Sequence, residues 1–169
     1  MLHKREDKMN KRVAFYGMFV TLALIASYVE TLVPISLGIP GVKLGLANLI
    51  TILVLYCMGW KDALFISSIR IVLAGFLFGN LFAITYSFAG AIVSFLVMVL
   101  LKKLDFGTVA VSAMGGVFHN VGQIVFAVFL VENTRLFYYL PILLISGSLA
   151  GLLIGILGGH VMKRVSGMF

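Results

Sequence analysis

Acidic residues are scarce in this chain, and cysteine is scarcer still. Only Glu6, Asp7, Glu30, Asp62, Asp105 and Glu132 carry negative charge, against 13 Lys and Arg. The single Cys57 excludes an intrachain disulfide, a cysteine-based zinc site and an iron–sulfur cluster; a small apolar packing residue is the role that suits it. Every acid except Glu30 is expected in a tail or a loop. No paired-acid site, no Ser–His–Asp arrangement, no HExxH motif and no DDxxD cluster for magnesium and diphosphate can therefore be assembled. A phosphate loop of GxxxxGK[ST] form is missing too, so no ATPase activity is expected. Paired histidine ligation of haem needs His119 and His160 at one level, and His160 lies near a span end. The sequence thus predicts no catalysis, no metal and no cofactor.

What the chain has in abundance is apolar surface. Of 169 residues, 62% are hydrophobic and 11% charged, with a mean hydropathy of +1.14. A soluble core cannot absorb that much apolar surface, whereas a bilayer can. One crossing takes about 20 apolar residues. The apolar stretches fall at Arg12–Val33, Lys43–Gly59, Asp62–Gly79, Leu81–Leu101, Thr108–Val131 and Phe137–Met162. An all-α integral membrane protein with six transmembrane helices is expected, as a single domain over 12–162. Residues 1–11 and 163–169 form short cytoplasmic tails in this reading, and no cleavable signal is expected before Glu30.

The pI near 9.8 reflects where the basic residues lie. Lys4, Arg5, Lys8, Lys11, Arg12, Lys61, Lys102, Lys103, Lys163 and Arg164, ten in all, fall on one side of the predicted membrane. The other side holds only Lys43 and Arg135. By the positive-inside rule both termini are cytoplasmic. The basic excess is a topology signal with some attraction to anionic lipid, and nucleic-acid binding is not expected.

Two segments depart from plain helix. The stretch from Leu37 to Gly45 is dense in Gly and Pro, and Pro34 and Pro40 both break helices. It reads either as an outer loop dipping toward the membrane, tolerated only where buried or lining a cavity, or as an ordinary tight turn. The last span carries Gly147, Gly151, Gly155 and Gly159 at strict four-residue spacing. This is a smooth face for close helix approach; whether its partner is in this chain is left open by the spacing alone.

The candidate site comes from the few polar groups at membrane depth, where a charge costs about 2.5 kcal/mol or more without a partner or cavity. Arg70 lies near the middle of the third span. His119, Asn120 and Gln123 lie near the middle of the fifth. Glu30, Lys43 and Asn48 lie at the outer ends of the first two. Together they describe a pocket in the outer half of the bundle, suited to a small polar or anionic ligand. For Arg70 two readings stand: a ligand contact, or a buried ion pair with Glu30.

Ile39 to Asn48 (IPGVKLGLAN), Gly59 to Leu64 (GWKDAL), Arg70 and Gly115 to Gln123 (GGVFHNVGQ) resemble the Gx transporter family. That family is often labelled heptaprenyl diphosphate synthase component I and is similar to the substrate-binding S components of energy-coupling factor transporters. The resemblance covers nearly all of the chain from about residue 12 and implies an S-component-like six-helix bundle. It further implies substrate held beneath the loop after the first helix, and docking of that helix on a transmembrane coupling subunit driven by ATPases. Gly17, Thr21, Ala23 and Ser27 have suitable spacing for the docking face. Two functions follow. One is a substrate-capture subunit for uptake in the cytoplasmic membrane of a prokaryote. The other is an accessory membrane component of isoprenoid or quinone metabolism, binding a lipid-tailed ligand and relaying electrons to outer-face redox partners.

The topology is checked by cysteine labelling in a Cys57→Ala background. Single cysteines near Leu37 or Asn133 are labelled by an impermeant maleimide from outside, and one at Lys103 is not; the reverse pattern contradicts the expected orientation.

Overall fold

The computed structural model describes residues 2–32 and 44–165, and all their regular structure is helical. The helices are α1 (Leu2–Leu32), α2 (Leu46–Cys57), α3 (Trp60–Phe78), α4 (Leu81–Lys103), α5 (Thr108–Val131) and α6 (Leu140–Val165), with a 3₁₀ turn at Thr134–Tyr139 before α6. The Gly/Pro loop expected around Leu37 to Gly41, and Lys43 with it, lie outside the described residues.

Local chemistry sets the boundaries. Gly59, at φ 112°, makes the tight passage from α2 to α3 in a conformation that side chains rarely adopt. Asn80 caps α4, its side-chain oxygen accepting from the Ala83 N–H at 2.8 Å, as N-cap amides do. The sixth helix starts later than expected from hydropathy, at Leu140 instead of Phe137. Pro141 cannot donate to the Phe137 carbonyl; the Leu140 N–H takes that carbonyl instead, which is the tighter 3₁₀ bond. At the other end, α1 runs back to Leu2, so the expected basic tail is helical and continuous with the first span. Its Lys, Arg, Glu and Met residues are good helix formers.

Among the described residues, four helical segments are long and apolar enough to cross a membrane: Met9–Leu32, Leu81–Lys103, Thr108–Val131 and Thr134–Val165. The other two expected spans differ for separate reasons. Helix α3 has 19 residues but includes Lys61, Asp62 and Arg70. Helix α2 has 12 residues, about 18 Å at 1.5 Å per residue, well short of a hydrocarbon layer of about 30 Å.

The helices close into a ring in the order α1, α3, α4, α5, α6, α2, with α2 also touching α3. The tightest seam joins α5 and α6. A Cβ on Gly151 would lie 2.5 Å from the Ser112 carbonyl, one on Gly155 2.7 Å from the Val109 Cα, and one on Gly147 2.7 Å from the Gly116 carbonyl. The glycine face of the last helix therefore meets α5 of its own chain, which settles the question its spacing left open.

The apolar core, with Ile52, Val54, Leu55, Ala63, Ile66, Met98 and Val111, fills the end of the ring where α1 enters. Polar clasps surround it. The Arg12 guanidinium pairs with Asp62 at 2.5 Å, and the Tyr16 hydroxyl donates to the same carboxylate, tying α1 to α3. Lys102 Nζ donates to the Leu55 carbonyl at 2.5 Å and lies over the Tyr56 ring, so a cation terminates α2 where its dipole is negative.

Alanine at Gly151 or Gly155 meets backbone that cannot move aside and should cost about 1–3 kcal/mol, the usual penalty of overpacking. Gly17→Ala meets nothing within 4 Å and should stabilise by up to about 1 kcal/mol through helix propensity. Thermal unfolding in detergent separates the two classes.

Candidate ligand-binding site

Where α1 stops and α2 starts, the helices surround a half-open cavity of about 360 Å³ that reaches down to the core residues Phe95, Met98 and Ile154. All six contribute to its wall. Five of the seven residues expected from sequence line it: Glu30, Asn48, Arg70, His119 and Asn120.

Glu30 organises the rim. Its Oε1 accepts from the Gly45 N–H and, at 3.1 Å, from the Leu46 N–H. Those groups open α2, whose start is set by Gly45 at φ 75°. A carboxylate there satisfies orphan donors and meets the positive end of the helix dipole. An ion pair with Arg70, one of the two readings of that residue, is not formed: among the described residues, Arg12–Asp62 is the one ion pair within 4.0 Å.

Arg70 projects from the middle of α3 into the wall. Its Nε is buried without a hydrogen-bond partner, an expensive condition for a group that stays protonated at any physiological pH. Ser67, one turn earlier on the same face, is buried beside the cavity.

The polar stripe of α5 divides three ways. His119 faces the cavity, and its ring also borders α4: a Cβ on Gly90 would lie 3.0 Å from His119 Cε1. Asn120 both lines the cavity and donates through Nδ2 to the Leu143 carbonyl of α6 at 2.6 Å, so it ties the seam together. Gln123 is 2% exposed and is not part of the cavity wall. It points at α4, where its Cγ would lie 2.7 Å from a Cβ on Gly90, and its Nε2 finds no partner. The sequence placed it on the correct helix face in periodic terms, but the close passage of Gly90 draws it into the α4–α5 seam.

Several wall residues escaped the sequence reading. Ser27, Thr51 and Ser67 are buried hydroxyls, each one turn from an expected residue: Glu30, Asn48 and Arg70. That three-residue offset is the signal that could have found them. The Ser27 and Thr51 hydroxyls donate to carbonyls of their own helices, Ala23 and Ala47, leaving acceptor lone pairs free. Ser94 bridges α4 to the Gly115 carbonyl of α5 at 2.8 Å and also lines the wall.

The four residues considered for partner docking do not share one face. Gly17 and Thr21 are exposed, whereas Ala23 and Ser27 are buried, and Ser27 lines the cavity. Among the described residues, no three His, Cys, Asp or Glu gather at a possible metal position.

The helix ring and its apolar exterior define a multi-pass membrane protein of the all-helical class, with a cavity of mixed polar and apolar lining between its helices. Within that class the chain belongs to the heptaprenyl diphosphate synthase component I family, whose sequence model matches residues 19–161. Neither a curated protein nor a solved structure matches it. The family description links this membrane component to heptaprenyl metabolism.

The rim is open to a direct test. Glu30→Ala leaves the Gly45 and Leu46 N–H groups without their acceptor and should cost about 1–3 kcal/mol. Glu30→Gln keeps an acceptor oxygen there and should retain most of the stability. Comparing their thermal midpoints with wild type checks whether the bonds or the charge dominate.

Proposed function

We propose that this protein is the substrate-binding membrane subunit of an uptake system, holding a small polar or anionic molecule against Arg70. The observation that carries the reading is the buried Arg70 Nε without a partner, set in the wall of a cavity of about 360 Å³. A carboxylate or phosphate answers a guanidinium with two parallel, charge-assisted bonds. The wall hydroxyls at Ser27, Thr51 and Ser67, with the amide of Asn48, suit a hydrated polar molecule better than a bare hydrocarbon. In this reading the protein sits in the cytoplasmic membrane of a prokaryote with both termini inside, and Lys43 and His119 add to the binding surface. It has no catalytic role. Transport is driven by partner ATPases through a coupling subunit, for which the exposed Gly17–Thr21 face of α1 allows close approach.

A second reading follows from the family description: an accessory component of isoprenoid or quinone metabolism. The diphosphate of a prenyl diphosphate is also an anion for Arg70. At about 360 Å³ the cavity is at the small end of ligand pockets, roughly 300–1,000 Å³, so a long prenyl tail would have to leave between helices.

Both readings require Arg70 for binding, and one experiment tests that requirement and separates them. Protein purified gently from native membranes is denatured, and the released small molecules are identified by mass spectrometry, for wild type and Arg70→Met. A small polar anion present only with wild type supports uptake; a prenylated or quinone anion present only with wild type supports the second reading. Equal recovery from folded Arg70→Met overturns both. The affinity lost should be on the order of 1.5–3 kcal/mol or more, the worth of a charge-assisted hydrogen bond.

A further inference from the structure

The two charged side chains of opposite sign in the described wall, Glu30 and Arg70, form no ion pair within 4.0 Å, although Glu30 still attracts the guanidinium at longer range. Glu30 commits Oε1 to the N–H groups of Gly45 and Leu46, while no hydrogen bond from a described residue reaches its Oε2. A helix N-terminus supplies only about half a positive charge, so Oε2 keeps negative charge that Arg70 meets only at longer range. A ligand bearing negative charge alone would face that residue as a like charge. A ligand bearing positive charge alone would face Arg70. Only a molecule carrying both an anion and a donor turns both encounters into attractions, and a site with unmatched buried polar groups rejects analogues that lack either one.

We infer that the ligand is dipolar, with a carboxylate or phosphate group on Arg70 and an ammonium or similar N–H donor toward Glu30. Its short carbon skeleton lies against Ile71, Phe95, Met98 and Ile154, which form the apolar part of the same wall. The inference rests on the reading that Arg70 holds ligand, and it narrows that ligand to a small zwitterion such as an amino acid or an aminoalkyl phosphate. A volume of about 360 Å³, at the small end of ligand pockets of roughly 300–1,000 Å³, suits a molecule of that size.

The test uses the full chain in detergent and four probes of one carbon-chain length: norleucine, ε-aminocaproate, caproate and hexylamine. Binding is measured by calorimetry and thermal shift on wild type, Glu30→Gln and Arg70→Met. At least one aminocarboxylate should bind wild type about tenfold or more tightly than caproate or hexylamine, the factor expected for one added charge-assisted bond. Glu30→Gln should bring that aminocarboxylate down to the level of caproate, and Arg70→Met should lose both. Because the amide introduced by Glu30→Gln still offers an oxygen to Gly45 and Leu46, the variant folds, and its thermal midpoint confirms it. If caproate binds as tightly as the aminocarboxylates and still depends on Arg70, the dipolar inference is overturned while anion binding stands. If no probe binds, or binding ignores Arg70, both fall.

Discussion

Everything around the cavity depends on how closely α5 and α6 approach. Their backbones meet through Gly116, Gly147, Gly151 and Gly155, with spaces too small for a Cβ. In a membrane there is little hydrophobic drive to bring helices together, because lipid tails are as apolar as leucine. Dispersion between closely apposed backbones and a few interhelical hydrogen bonds must do it. The Asn120 amide on the Leu143 carbonyl reinforces that seam, and the Ser94 hydroxyl on the Gly115 carbonyl extends it sideways to α4. The result is one continuous wall of three helices, against which α1, α2 and α3 complete the ring.

The polar groups follow from this geometry. One end of the ring is filled mainly by apolar side chains from α2, α3 and α4. The other end has the short α2, which begins only at Leu46, and the space above its N-terminus is where Glu30, Asn48 and Arg70 gather. Glu30 satisfies through Oε1 the donors that a truncated helix exposes, and in that position it makes no ion pair with Arg70 within 4.0 Å. Arg70 Nε is left buried without a hydrogen-bond partner on the same side of the ring.

Much of this was legible in the sequence, for reasons that can be named. Arg70 stands out because a cation in a run such as Ser67–Gly75 has no structural excuse, and His119 and Asn120 stand out for the same reason. The six helices were readable from apolar length and from breaks at Gly59, Asn80 and Asp105. The glycine spacing of α6 announced a close approach but could not name its partner, since a smooth face fits any other smooth face. The shortness of α2 was hidden because hydropathy continues through Lys43 to Gly45, whereas the helix waits for the left-handed turn at Gly45. The separation of Gln123 from the cavity was hidden as well. Periodicity puts it on the same stripe as Asn120, and only the passage of Gly90 on another helix decides which seam it enters.

The packing of the ring is unequal. The contacts of α5 with α4 and α6 are far more extensive than those that join α1, α2 and α3 to one another or to the wall. The ring therefore has a tightly joined side, α4, α5 and α6, and a more loosely joined one, α1, α2 and α3. Within the looser side α1 is tied to α3 by Arg12, Tyr16 and Asp62 and to α2 by two backbone donors on a single Glu30 oxygen, while Lys102 joins α2 to α4. Of these ties, the one beside the cavity is held by a side chain that also carries charge into it. One carboxylate thus both latches α1 to α2 and sets the charge of the cavity rim.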